Sequence, residues 1–182
     1  MCPGSPVLQT GTDYPSMPGM SQFHTFTTEY VATEDRIRIS GQIEQESPLS
    51  IWLTQRLLQR LLPVLTGWLE QQSPQGVAGE IGHTFAQQAA RTALTPQEPV
   101  NASAGESSRL ASAIDVSRSA QAVRLTFRDQ DDQSTELALN ATQLRQWLNI
   151  VHDLYTRAGW PLDSWPDWMR STPEPQPPKM LQ

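Results

Sequence analysis

Twice along this chain an apolar pattern of period two gives way to one of period three to four. In the first case Arg36-Ile37-Arg38-Ile39-Ser40 alternates, and Leu49-Ser50-Ile51-Trp52-Leu53 alternates again. Leu57, Leu58, Leu61, Leu62, Leu65, Trp68 and Leu69 then recur at three- and four-residue spacing. Strand side chains switch faces at every residue, whereas those on one helix face return every three or four. The order is therefore strand, strand, helix. In the second case Val123, Leu125 and Phe127 alternate with Arg124 and Thr126, and Leu137 and Leu139 follow. Leu144, Trp147, Leu148, Val151, Leu154 and Tyr155 then mark a helical face. A further strand precedes each series. Phe23 to Ala32 is rich in Thr, aromatic and β-branched residues, and Ile114 and Val116 mark a strand in Leu110 to Ser119.

Each half thus reads as βββα. Ile37-Arg38-Ile39 matches Val123-Arg124-Leu125, Leu49 and Ile51 match Leu137 and Leu139, and Leu57, Leu61, Val64 and Trp68 match Leu144, Leu148, Val151 and Tyr155. The expected fold class is α+β: two successive βββα-like halves, an internal duplication as one reading of them, forming an antiparallel sheet with helices packed on it. The halves could merge into one sheet or pack as a pseudo-two-fold pair. Glu80 to Leu94 adds one extra helix between them, with Ile81, Phe85, Ala89 and Ala90 directed to the core.

Local signals fix the joints. Thr54 is a helix N-cap, and Asn140 with Gln143 makes a capping box. Pro63 should kink the first helix. Gly159 and Pro161 end the last one. The chain has 15 Pro among 182 residues, and these crowd the ends and the middle. The expected organisation is a disordered leader over 1–22 and a single α+β domain over 23–170. Within it, half one spans 23–94, a linker 95–108 and half two 109–170, and a disordered Pro-rich tail follows over 171–182.

The formal net charge is −6. Nucleic-acid binders draw most of their affinity from phosphate neutralisation, so this balance opposes a general one. The lone cysteine, Cys2, cannot form an internal disulfide. Met1 to Met20 lacks a basic start and an apolar stretch, so the reading is cytoplasmic. Arg56 and Arg60 interrupt the longest apolar stretch, Ile51 to Leu69, which excludes a membrane span there.

No residue pattern carries catalysis. His24, His83 and His152 fall in separate elements without ligand spacing, so no metal or other cofactor is expected. A nucleophile elbow and a Gly-rich phosphate loop are both missing. Asp129, Asp131 and Asp132 lack the Gly and Glu of a calcium loop and read as a turn. Two constellations remain. Trp160, Trp165 and Trp168, set among Pro161, Asp163, Pro166 and Asp167, form either a clamp over the open end of the core, the preferred reading, or a partner-binding anchor. Arg36, Arg38, Arg124 and Arg128 lie on the polar faces of equivalent strands and would form a basic face unless neighbouring acids pair with them.

These features favour a non-catalytic protein-binding module, an adaptor or assembly factor of a bacterial-type cytoplasmic complex. The chief alternative is a single-stranded nucleic-acid-binding protein that uses the Arg-bearing strand faces. An enzyme subunit with a site invisible in sequence is the second. A protein partner is expected and a homodimer stays open.

Overall fold

The computed structural model describes residues 7–9, 21–43, 47–72, 77–94, 98–100 and 107–170. In chain order the elements are β1 (Val7–Gln9), β2 (Ser21–Val31), β3 (Arg36–Ile43), β4 (Leu49–Leu53), α1 (Gln55–Gln71), α2 (Val77–Thr92), β5 (Ser108–Leu110), β6 (Ala113–Arg118), β7 (Ala122–Arg128), β8 (Ser134–Asn140), α3 (Ala141–Ala158) and α4 (Asp167–Arg170). Two βββα series are present, with α2 between them, and the fold is α+β. The tail over 171–182 lies outside the described residues, as does most of the 95–108 linker. β1 and the start of β2 fall within the leader. A three-residue strand such as β1 takes its order from pairing with β2, so its own sequence need not show a period.

The sheet is mixed, which corrects the antiparallel expectation. Its strand order is β5-β4-β3-β2-β8-β7-β6, with β1 pairing β2 off that path. Each half is an antiparallel meander, but the first strand of one half meets the last strand of the other. Those two run the same way, so Ser21 and Gln22 pair in parallel with Thr135 and Glu136. The halves therefore join head to tail.

The end strands of the path, β5 and β6, are separated only by Ala111 and Ser112. The three steps from Leu110 to Ala113 reach about 10 Å at most, so the sheet must curl until its edges meet. Hydrogen bonds record the crossing: Ala111 N–H donates to the Trp52 carbonyl at 3.0 Å, and Ser112 N–H donates to the Arg128 carbonyl at 2.8 Å.

The internal registers of the halves agree. Ile37 pairs with Leu53 and Ile39 with Ile51; adding 86 to each number gives the pairs Val123–Leu139 and Leu125–Leu137. The same step carries the N-cap Thr54 to the N-cap Asn140. It also carries buried Leu58, Leu61, Leu62, Leu65, Trp68 and Leu69 onto buried Leu144, Trp147, Leu148, Val151, Leu154 and Tyr155. Leu57 and Val64 are only half-buried, so the inward helix face sits one residue away from the one the spacing suggested at those positions. One exception is instructive. Gly41 steps to Phe127, and a Cβ on Gly41 would lie 2.2 Å from the ring of Phe23. Half one borrows its aromatic from β2 and needs glycine beneath it, while half two carries its own.

The helix ends follow their chemistry. The Leu57 N–H donates to Thr54 Oγ1 at 3.3 Å. Asn140 and Gln143 cap each other reciprocally, with both bonds at 2.9 Å. α1 continues through Pro63, which is exposed. Gly159 takes a φ of 67° in the left-handed region at the end of α3, and the Trp160 N–H donates back to the Tyr155 carbonyl at 3.0 Å. Trp147 anchors α3 on β2 by donating its indole N–H to Thr28 Oγ1 at 3.1 Å.

Candidate functional site

The tryptophans after α3 are interior groups. Trp160, Trp165 and Trp168 are 7%, 1% and 8% exposed. Trp160 donates to Asp35 Oδ1 at 3.0 Å and meets Tyr30 and Tyr155 edge-on. Asp35 sits in the β2–β3 turn at a φ of 47°, and Tyr30 donates to the same oxygen at 2.8 Å. Trp165 packs edge-on against His152 and Tyr155. The segment folds back over the core, and an exposed anchor is not where the structure puts these rings.

The four strand arginines each face an acid. Arg38 donates through Nε and Nη2 to Glu29 Oε1 at 3.0 and 2.7 Å and lies over the Trp52 ring. Arg36 pairs with Glu34 at 3.9 Å, Arg124 with Glu136 at 3.7 Å, and Arg128 with Asp115. Glu29 and Arg38 are direct cross-strand neighbours, so the sheet supplies its own counter-charge. These four positions do not form an unneutralised basic face.

A shallow cavity of about 160 Å³ lies at the β6–β7 hairpin, lined by Arg118, Arg124, Ser117, Ser119 and Ala122 among others. It is smaller than the several hundred Å³ usual for small-molecule sites. The Ser119 hydroxyl already donates to the Ala122 carbonyl and accepts from the Ala122 N–H, both at 3.0 Å. Among the described residues no three His, Cys, Asp or Glu side chains converge on a common point. Nor is any helix among them long and apolar enough to cross a membrane.

The unexpected region is α2, and here the expectation is overturned. Of the residues read as core-facing, only Ala90 is buried, whereas Ile81 is 54% exposed, Phe85 72% exposed, and Ala89 exposed. The larger buried side chains of this helix are polar: His83 is 5% exposed and Gln87 6%. The physical reason lies in α3. Its apolar face is spent on the sheet, so the face left for α2 presents Arg145, Gln146 and Asn149, all buried in the assembled fold. A polar face is answered by polar groups. Gln87 donates its amide to the Arg145 carbonyl at 3.0 Å, and Gln146 donates to the Ala90 carbonyl at 3.2 Å. Arg91 pairs with Asp153 at 3.5 Å at the rim.

The centre of this contact is a guanidinium, Arg145, 5% exposed. Its Nη2 lies 2.9 Å from His83 Nδ1, and its Nη1 donates to Gln87 Oε1 at 3.3 Å and to the His83 carbonyl at 3.5 Å. Arginine has only donors, so His83 Nδ1 must accept, and the ring is neutral with its proton on Nε2. Trp168 stacks on His83 with ring centres 5.3 Å apart and lies under Arg145 at the same distance. Its indole N–H donates to Glu70 Oε1 at 3.2 Å. Burial holds the Arg145 guanidinium below the ordinary arginine range. Burial first, and then the Arg145 charge, hold His83 below the ordinary imidazole range, against a smaller opposing pull from Glu70.

Comparison with known proteins returned no matching family model, no matching curated protein and no matching solved structure.

Proposed function

We propose that this protein is a non-catalytic protein-binding module and that α2 is the element it presents. The supporting observation is the inversion of α2, which buries His83 and Gln87 and shows Ile81 and Phe85 to solvent. An exposed Phe on the same helix face as an exposed Ile, four residues apart, matches the anchor spacing of a helix laid into an apolar groove. Gly82 adds an open position, where a Cβ would meet nothing within 4 Å. A partner surface can therefore approach the helix closely beside the two anchors.

The occupant we commit to is an apolar groove on a different protein. One face of a helix of 16 residues is too small to supply the roughly 800 Å² per partner of a standard interface. Two copies meeting only through α2 would fall short of that area, whereas a groove enclosing one helix on several sides gains more from the same side chains. The stripe carries no charge, with Thr84, Gln88 and Ala89 around the anchors, so the groove is neutral and apolar. An adaptor role, a cytoplasmic location and descent of the two halves from one duplicated unit belong to the same proposal. They are supported by the single cysteine and by the common step of 86 between the pairs Ile39–Ile51 and Leu125–Leu137.

The nucleic-acid reading gains no support from Arg36, Arg38, Arg124 and Arg128, because each is paired with an acid. The deciding experiment compares the wild-type chain with Phe85→Asp, Ile81→Asp and a control off the helix, Gln121→Asp in the exposed β6–β7 turn, as nuclease-treated baits. The expected result is a protein retained by wild type and control and lost from both anchor variants, with unchanged thermal melting. Equal retention by all four baits, or retention of nothing but nucleic acid, overturns the proposal.

A further inference from the structure

We propose that the His83–Arg145 contact is a pH-sensitive latch that holds α2 on α3 while His83 is neutral and releases it when His83 is protonated. The inference rests on the reading of α2 as the presented element, and it concerns how that element is held. Four elements meet at this one point. α2 supplies His83 and Gln87, α3 supplies Arg145, α4 supplies Trp168, and α1 supplies Glu70. No carboxylate lies within ion-pair distance of Arg145 among the described residues, so its counterparts are a bare imidazole nitrogen, an amide oxygen and a carbonyl.

A proton on Nδ1 removes the acceptor and sets a second cation 2.9 Å from the first. The remaining charges compensate only in part. Glu70 favours the protonated ring, but its pull is smaller than the effects of burial and of Arg145, and its Oε1 accepts from the Trp168 indole. On α4, Asp167 and Arg170 pair with each other at 3.4 Å. On the α2–α3 rim, Arg91 and Asp153 pair with each other, and Asp153 also faces His152. A half-turn of the His83 ring would keep its stack on Trp168 but set a carbon against Arg145, so the acceptor is lost either way.

The sign of the effect follows from linkage. His83 lies lower when docked than when free, so the released state binds the proton more tightly. Docking is fully stable above the ordinary imidazole range and weakens as pH falls through it towards the docked value. Over that window the population with α2 released rises as pH falls, by at most about tenfold per pH unit, because one proton is taken up per release.

Hydrogen exchange of α2 amides in the full-length protein tests this from pH 7.5 to 5, with rates corrected for intrinsic exchange and His83 followed by its NMR ring signals. The expected result is increasing exchange confined to α2, a His83 midpoint below those of exposed imidazoles, and no such pH dependence in His83→Gln, whose amide offers a non-titrating acceptor. Arg145→Gln should raise the His83 midpoint. Unchanged α2 protection across the range, or an equal pH dependence in His83→Gln, overturns the latch. Neither readout involves a partner, so failure here leaves the docking proposal standing. Failure of the Phe85 comparison would leave the pH-dependent docking of α2 in place and remove only its link to partner binding.

Discussion

α2 and α3 lie against each other and are amphipathic in opposite senses. α3 turns its apolar side to the sheet and its polar side to α2, while α2 turns its polar side inward and leaves its apolar side outside. The burial of α3 explains its sequence without reference to anything else. That of α2 does not, since an exposed Phe85 contributes nothing to this fold that Ser or Lys could not. A helix whose inner face is the polar one points to a use for its outer face.

The contrast can be broken most forcefully at Leu148, fully buried on the sheet side of α3. Leu148→Ala should cost about 2–5 kcal/mol, read from urea denaturation midpoints. A loss below 1 kcal/mol would mean that α3 is no more committed to the core than α2. A smaller effect is expected at the start of α3. Asn140→Ala removes half of a reciprocal cap and should cost about 1 kcal/mol, and Thr54→Ala, at the equivalent place on α1, should cost less because the bond it removes is longer, 3.3 Å against 2.9 Å. Equal losses would show that the shorter bond at Asn140 adds nothing. The smallest effect belongs to α2: Phe85→Ala should shift stability by no more than about 0.5 kcal/mol. A larger loss by the same measurement would show that Phe85 packs on the fold after all.

The sequence revealed the strands and helices that repeat. Alternation at Ile37 and Ile39, or at Leu137 and Leu139, leaves one choice of face, and the structure buries all four. The tryptophans after α3 could be read as a clamp, and their burial fits that choice, although Asp35, Glu70 and Arg145 as their partners could not be read. Two features lay beyond the pattern. Periodicity identifies an apolar face on α2 but cannot say which neighbour that face meets. That was decided by Arg145, Gln146 and Asn149, in a helix whose core-facing residues drew the eye first. The only signal was the spacing of His83 and Gln87 on the face opposite Phe85. The closure of the sheet was hidden because β5 has three residues, too few for any period, and its pairing with β4 is parallel.

That closure also bears on how the chain reaches its folded state. The meanders β2-β3-β4 and β6-β7-β8 are built from neighbours in sequence, so each can zip at little cost in loop entropy. The pairing of β2 with β8 spans more than a hundred residues, and that of β4 with β5 more than fifty. Ser112 extends the β6–β7 hairpin through its bond to the Arg128 carbonyl, but Ala111 can take its bond to the Trp52 carbonyl only after the two ribbons have come together. The link at Ala111–Ser112 is thus the clasp of the ring, where the local pairing of one half meets the long-range pairing of the other.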